Sequence, residues 1–288
     1  MKTLLLTTDF SESSKQAVQY GYDMARQIEA NVLLCSAMIV PAEIPQSSFV
    51  CWPPDEFDNL IEDCKTDLDQ LKKELESTVP PESYKPKVIC ISKAGRVSDV
   101  IKGITENLTI DLIVLGTHKG GVLSGLLVEN HTNTLIDNSN QPLLLVKPGT
   151  VYKQIRKIAF ATEFKNIDND LNTIYRLIEI AKPLNAKILL THITNYRDQT
   201  DILKKRISDC LIELSNKADY PNIYYRLIDN KNIEDGLEWL CGRSQVDILA
   251  MAHKSRNLFA ELFERSHTKK MADLSTVPLL IFKVTNQQ

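Results

Sequence analysis

Short apolar segments alternate with longer amphipathic segments along the whole chain. In the first half, five segments are almost continuously apolar, as is typical of strands that a parallel sheet buries on both faces. They cover residues 3–8, 31–37, 87–91, 111–116 and 142–147. Between them, apolar residues recur every three or four positions, the spacing of an amphipathic helix. Strands and helices in this alternation predict βαβ units joined by right-handed crossovers.

The second half repeats this pattern. Its apolar segments predict strands at 157–162, 187–193, 223–228, 247–252 and 278–283. Its amphipathic segments predict helices at 168–184, 198–218, 232–242 and roughly 258–275.

The last two strands of each half also match in sequence. "DLIVLG" at 111 corresponds to "DILAMA" at 247, and "QPLLLVK" at 141 corresponds to "VPLLIFK" at 277, each 136 residues later. Such self-similarity indicates an internal duplication. Proline, glycine and polar residues interrupt the strand pattern at 147–154, which favours a boundary there. We therefore expect two domains, at 1–148 and 153–284.

Composition excludes several classes of protein. The 288 residues are 43% hydrophobic, carry a formal net charge of -3 and have a pI of about 6.0, so no general nucleic-acid-binding surface is expected. No segment reaches the ~18 uninterrupted apolar residues that indicate a membrane-spanning helix. The six cysteines are scattered without a CxxC pair, which is typical of a reducing cytoplasm.

One segment has no counterpart in the second half. Residues 39–57 contain four prolines and follow the second strand, so the loop belongs to the carboxyl end of the sheet, where open α/β sheets bind ligands. Phe49 and Trp52 of this loop either cover a ligand or pack against the other half of the chain.

Three stretches resemble the universal stress protein family: "TTDFSESS" at 7, "DLIVLGTHKGG" at 111 and "QPLLLVK" at 141. The resemblance covers the chain twice and so suggests a tandem member of the family. It implies an α/β fold with two tandem Rossmann-like domains of the adenine nucleotide alpha hydrolase-like kind. Each would be an open five-stranded parallel sheet of order 3-2-1-4-5 flanked by helices, and the two fifth strands would meet across a pseudo-dyad.

The resemblance also implies a nucleotide site. In the nucleotide-binding branch of the family, an Asp after strand one contacts the adenine end, and a G-x-x-G-x9-G-[ST] segment after strand four surrounds the phosphates. Glycines let backbone N–H groups approach anionic oxygens, and a helix N-terminus adds partial positive charge. The expected ligand is ATP, ADP or AMP with magnesium, bound in the first half only. The candidate nucleotide-binding residues at or beside the motif positions are Asp9, Ser11, Gly116, Thr117, His118, Lys119, Gly120, Gly121 and Asn130.

The first half departs from that motif at two points. Lys119 replaces the second glycine and Glu129 with Asn130 replaces the final Gly-Ser pair. A lysine can contact a phosphate as a point charge, but it lacks the backbone freedom of glycine. A carboxylate at 129 repels the terminal phosphate unless a divalent cation bridges them. The sequence therefore predicts weak binding. Asp9 has a second possible role, because Asp or Ser at the start of a helix also serves as its N-cap.

The second half departs further. Glu163 replaces the strand-one Asp, Ala252 stands at the first glycine, and Arg265 with Ser266 replaces the final pair. Apolar residues between them predict a packed helix, so we expect no nucleotide here.

No catalytic motif accompanies these features: the chain has no Walker A sequence, no G-x-S-x-G and no paired histidines at metal-binding spacing. We expect a non-catalytic cytoplasmic stress-response protein that binds a ligand or a protein partner of unknown identity. It would form a homodimer in addition to its intramolecular pseudo-dimer, and would contact neither nucleic acid nor membrane. Two alternatives remain open. One is a slow ATPase or phosphotransfer enzyme using Glu129 or His118, and the other is an interaction module without a ligand.

Overall fold

The computed structural model describes residues 2–38, 54–117, 140–194, 200–243, 246–253 and 277–284. These residues form ten strands and six helices flanking one sheet. The strands are β1 (Thr3–Thr7), β2 (Asn31–Met38), β3 (Val88–Ala94), β4 (Leu112–Gly116), β5 (Leu143–Val146), β6 (Lys157–Ala161), β7 (Lys187–Thr194), β8 (Ile223–Asp229), β9 (Ile248–His253) and β10 (Leu279–Lys283). The helices are α1 (Glu12–Gln27), α2 (Pro54–Ser77), α3 (Val97–Asn107), α4 (Ile167–Leu184), α5 (Asp201–Lys217) and α6 (Ile233–Arg243).

The strand order confirms the predicted topology in both halves. The sheet runs β3-β2-β1-β4-β5-β10-β9-β6-β7-β8, so each half has the order 3-2-1-4-5. Within each half all neighbouring strands are parallel. Nine of the ten strands begin and end within one residue of the positions that the apolar segments predict, and β3 extends three residues beyond its predicted end.

The two halves meet at their fifth strands. β5 and β10 pair in the antiparallel direction, with Leu144 opposite Leu280. These two leucines are also equivalent in the duplication, since they lie 136 residues apart. The pseudo-dyad therefore passes between them, and the two five-stranded sheets form one continuous sheet of ten strands.

The helices bury the two faces of the sheet differently. One face packs against α1, α2, α4 and α5, and its buried side chains form a single apolar cluster that includes residues of both halves. The other face carries two smaller clusters, one beneath α3 and one beneath α6. The first cluster extends across the pseudo-dyad, so the halves share a core on that face.

The edge strands differ from the sequence-based expectation. Both β3 and β8 are almost continuously apolar, which predicted burial on two faces, yet Ile89 and Tyr224 are each 49% exposed. The reason is position: each strand has one neighbour in the sheet, and α3 and α6 pack mainly over the adjacent strands β2 and β7. Among the described residues, no helix is both long enough and apolar enough to cross a membrane.

Candidate functional site

A tight turn connects β1 to α1. β1 ends at Thr7, and Phe10 adopts the left-handed conformation with φ of 62°. The Phe10 N–H donates to Oγ1 of Thr8 at 2.9 Å, which holds this uncommon backbone conformation. Ser11 is the N-cap of α1, because its side chain accepts from the Ser14 N–H at 3.3 Å.

The Asp9 carboxylate lies inside this turn and is half-buried. Its Oδ1 accepts from the Ser11 N–H at 3.1 Å and from the Ser11 hydroxyl at 2.5 Å. Burial is the largest influence on the Asp9 pKa and raises it, but the hydrogen bonds from Ser11, Ser14 and the backbone together bring the pKa below its usual value of 3.8. Asp9 is therefore ionised at neutral pH. It orients the capping serine, and both Ser11 bonds use Oδ1.

Ser14 is a member of the site that the sequence analysis missed. Its hydroxyl donates to the Ser11 carbonyl at 2.9 Å, lies 3.1 Å from the Thr8 hydroxyl and accepts from the Asp9 N–H at 3.3 Å. Ser14 is fully buried. The sequence feature that could have identified it is the third serine in "SESS". A serine at such a helical position more often points to solvent, so it attracts no attention in the sequence.

The carboxyl end of β4 contacts the first turn of α1. β1 and β4 are parallel neighbours, with Leu6 opposite Val114. At the end of β4, a Cβ on Gly116 would lie 2.9 Å from the Ser13 carbonyl oxygen and 3.0 Å from the Ser14 Cα. Both neighbours are backbone atoms, so they cannot rotate away. Glycine is therefore required here by packing, whether or not a ligand binds.

Thr117 follows Gly116 and adds a buried hydroxyl. Its N–H donates to the Val146 carbonyl at 2.9 Å, while its side chain is only 5% exposed. In the part of the chain that the structure describes, Oγ1 has no hydrogen-bond partner. A buried polar group without a partner costs about 1–3 kcal/mol. The hydroxyl lies at the carboxyl end of β4, where a ligand bound over the strand ends can contact it.

Four of the nine predicted site residues can thus be located. The structure brings Asp9, Ser11, Gly116 and Thr117 to the adjacent ends of β1 and β4, and Gly116 packs against the first turn of α1. The other predicted positions lie outside the described residues: His118, Lys119, Gly120, Gly121 and Asn130, together with Glu129, Phe49 and Trp52.

The second half builds the same turn from different residues. Phe164 has φ of 53°, and its N–H donates to Oγ1 of Thr162 at 3.3 Å. Asn166 caps α4 by accepting from the Asn169 N–H at 3.0 Å. The backbone geometry of the first-half turn is therefore reproduced, although the serine cluster is absent.

Charge distinguishes the two turns. The Thr162 hydroxyl donates to Oδ1 of Asp170 at 2.8 Å, and Asp170 is fully buried. In the first half the corresponding threonine, Thr8, meets the neutral hydroxyl of Ser14. A buried carboxylate near the N-terminus of α4 opposes an anionic ligand. Glu163, at the position equivalent to Asp9, points to solvent and pairs with Lys165 at 2.8 Å.

Three of the described cysteines are buried thiols with a raised pKa. Burial raises the pKa of Cys35 to about 12 and those of Cys210 and Cys241 to about 11, so these thiols remain protonated at neutral pH. Among the described residues, no three His, Cys, Asp or Glu side chains lie close enough together to hold a metal ion. The chemistry that the described site supports is hydrogen bonding to a ligand.

Comparisons with known proteins agree with this architecture. A model of the "Universal stress protein family" matches residues 1–147. Universal stress protein MJ0577 of Methanocaldococcus jannaschii is 28% identical over 160 residues, which are 51% of this chain and 94% of that protein. A universal stress protein structure from Archaeoglobus fulgidus DSM 4304 is 16% identical with a TM-score of 0.69, covering 98% of both chains. A protein of unknown function from Pseudomonas aeruginosa PAO1 is 10% identical with a TM-score of 0.55, covering 99% of this chain and 93% of its own.

Proposed function

The chain belongs to the universal stress protein family, and we propose that it is a non-catalytic cytoplasmic stress-response protein that binds an adenine nucleotide in its first half. The observation that carries this proposal is that Asp9 and Ser11 lie at the N-terminus of α1, against which Gly116 packs at the end of β4. ATP, ADP and AMP share the adenosine and phosphate groups that such a site can recognise.

The phosphate end of the ligand would lie at the N-terminus of α1. The first N–H groups of a helix carry partial positive charge, and they bind phosphate oxygens in many folds. The buried Thr117 hydroxyl would donate to the same ligand, which would satisfy a group that is otherwise without a partner among the described residues. Thr117 is therefore expected to contribute to affinity rather than to folding.

The adenosine end would meet Asp9. Its ionised carboxylate accepts hydrogen bonds from amino or hydroxyl groups, and Ser11 fixes its orientation through Oδ1. Lys119 and Glu129 alter the phosphate side, so affinity is expected to be weak and to increase with magnesium, which would bridge the Glu129 carboxylate and the phosphate.

The two halves are proposed as domains at 1–148 and 153–284. The second domain serves as scaffold and pseudo-dimer partner of the first. The buried Asp170 supports this assignment, because its carboxyl group stands beside Thr162 near the N-terminus of α4, where the first half has the Ser14 hydroxyl. Glu163, which is equivalent to Asp9, is paired with Lys165. A homodimer is proposed in addition, since the sheet ends in two exposed edge strands.

The test begins with protein purified without added nucleotide. Denaturing it and identifying any released small molecule by mass spectrometry shows whether a nucleotide co-purifies. Calorimetric titration with ATP, ADP and AMP, with and without magnesium, then measures affinity. The informative variants are Thr117→Val and Asp9→Asn, with Glu163→Gln as the matched control in the second half. We expect the first two to weaken binding at least about tenfold and the control to leave it unchanged.

A protein that releases no nucleotide and gives no heat with any of the three overturns the proposal. In that case this protein is an interaction module without a ligand, and deletion of residues 42–54 should abolish its binding to a protein partner. Release of phosphate from ATP by the purified protein, abolished in Thr117→Val, would instead identify a slow ATPase.

A further inference from the structure

β8 forms one end of the ten-stranded sheet, and among the described residues it lacks several of the features that commonly protect an edge strand. Among the described strands it pairs only with β7. Natural edge strands are commonly protected by lysine, proline or a bulge, but the sequence of β8, "IYYRLID", contains no lysine or proline and its register with β7 is unbroken. On the α6 side of the sheet, Tyr224 is 49% and Trp239 is 41% exposed.

The hydrogen bonds to β7 show which backbone groups of β8 point outward. The Ile188 N–H donates to the Asn222 carbonyl at 2.8 Å, and the Asn230 N–H donates to the Thr194 carbonyl at 3.2 Å. In a parallel ladder, alternate residues direct both backbone groups toward the same neighbour. The even-numbered residues of β8 therefore face β7. The N–H and C=O groups of Ile223, Tyr225 and Leu227 point to the open side.

The two faces of β8 have different chemistry. Tyr225 and Leu227 border an apolar groove of about 480 Å³ against α5, whose other walls include Leu203, Leu211 and Ile212. On the opposite face, cations stack on aromatic rings. Arg226 lies 5.8 Å from the ring centroid of Trp239, and Lys187 lies 5.6 Å from that of Tyr224.

We propose that β8 pairs in the antiparallel direction with β8 of a second copy of this chain, about a two-fold axis at Tyr225. In this register the outward N–H and C=O groups of Tyr225 meet those of the same residue in the second copy, and Ile223 lies opposite Leu227. On the other face, Tyr224 of each copy lies opposite Arg226 of the other copy, so the two-fold axis produces this pair twice. Each contact is complementary: backbone donors meet acceptors, apolar side chains meet at the groove, and each guanidinium meets an aromatic ring.

Two neighbouring registers, with the axis at Arg226 or at Leu227, are less favourable. A two-fold axis normal to the sheet leaves each side chain on the same face of the sheet, so a residue can lie opposite only residues that point to that face. The axis must therefore pass between two copies of the same residue. An axis at Arg226 places two guanidinium groups directly opposite each other, which is destabilising. An axis at Leu227 places Arg226 opposite the buried Ile228. The axis at Tyr225 avoids both.

This inference rests on the homodimer proposed above and names its surface. The opposite edge of the sheet fits less well, because β3 carries the exposed Lys93, a residue type that guards strand edges. β3 nevertheless offers a matched control, since Ile89 is 49% exposed, as is Tyr224.

The test compares self-association of the full chain and three variants by sedimentation equilibrium. Tyr224→Arg places like charges opposite each other at two places, and we expect its dimer dissociation constant to rise about tenfold or more. Tyr224→Glu places a carboxylate opposite Arg226 and should leave the dimer as tight or tighter. Ile89→Arg, at the other edge, should not change it. Thermal melting confirms that each variant is folded.

Hydrogen exchange gives a second, variant-free measurement. The amide protons of Ile223, Tyr225 and Leu227 should exchange more slowly as the concentration of wild-type protein rises, because dimerisation engages them. A wild-type chain that stays monomeric at high concentration overturns both the homodimer and this surface. Two other results would overturn the β8 surface but not the homodimer. One is that Tyr224→Arg and Tyr224→Glu weaken the dimer equally, and the other is that dimerisation leaves these amides unprotected.

Discussion

Gly116 lies directly against Ser13: a Cβ built on the glycine would be 2.9 Å from the serine carbonyl oxygen. This contact seats the first turn of α1 on the end of β4. The glycine therefore has a structural role that does not depend on a phosphate. A loss of nucleotide binding on substitution of Gly116 would not by itself identify a binding residue.

We expect Gly116→Ala to lower the free energy of unfolding by about 1–3 kcal/mol, because the added methyl group forces backbone atoms apart. Chemical denaturation measures this. The control is Gly103→Ala in α3, where a Cβ meets nothing within 4 Å and the higher helix propensity of alanine should stabilise by about 0.5–1 kcal/mol. Equal effects of the two substitutions would contradict the packing role.

Thr117→Val should separate folding from binding. Valine has nearly the same shape as threonine but lacks the hydroxyl, which is buried without a partner among the described residues. Removing it should leave the free energy of unfolding of the nucleotide-free protein unchanged or raise it by up to about 1–3 kcal/mol. The increase in melting temperature on adding ATP should shrink. A variant that is less stable without nucleotide would show that Oγ1 has a structural partner.

Asp9 should make stability depend on pH in the acid range. Its pKa in the folded protein is lower than the usual value of 3.8, so its contribution to stability is complete above 3.8 and is lost as the pH falls through the folded-state pKa. The difference in unfolding free energy between wild type and Asp9→Asn should therefore be constant near neutral pH and diminish below 3.8. Urea denaturation at several pH values measures it. A difference that grows on acidification would contradict the lowered pKa.

The apolar pattern predicted the positions of the strands because most of them are buried on both faces. Leu4, Leu5 and Leu6 of β1 are all essentially buried although they point alternately to opposite sides. The pattern failed at β3 and β8 because an apolar run does not reveal whether a strand lies at an edge. Ile89 and Tyr224 show that difference.

The candidate site was predictable only in part. Motif matching pointed to Asp9, Ser11, Gly116 and Thr117, which the structure places at the adjacent ends of β1 and β4; that they bind a ligand stays a prediction. It missed Ser14 and Asp170, because their roles depend on which side of the helix turns toward the preceding loop. Asp170 follows Thr162 at a distance two residues longer than that between Thr8 and Ser14. An alignment by residue number therefore does not pair Asp170 with Ser14.

Gln27 connects the two halves on the face where they share a core. Its side-chain amide donates to the Ile155 carbonyl at 3.0 Å and the Leu184 carbonyl at 3.3 Å, and its carbonyl oxygen accepts from the Ile155 N–H at 3.0 Å and the Tyr152 hydroxyl. Ile155 is fully buried. Without Gln27, the backbone polar groups of Ile155 lose partners in an environment with little access to water.

We therefore expect Gln27→Ala to destabilise the chain by about 2–4 kcal/mol, as several buried groups lose hydrogen bonds at once. The control is Gln19→Ala in the same helix, where the side-chain amide donates to the Asp23 carboxylate one helical turn away. Its effect should stay below about 0.5 kcal/mol. Hydrogen exchange adds a local readout, since the Ile155 amide should exchange faster in Gln27→Ala than in wild type. An unchanged Ile155 amide would show that this contact does not couple the two halves.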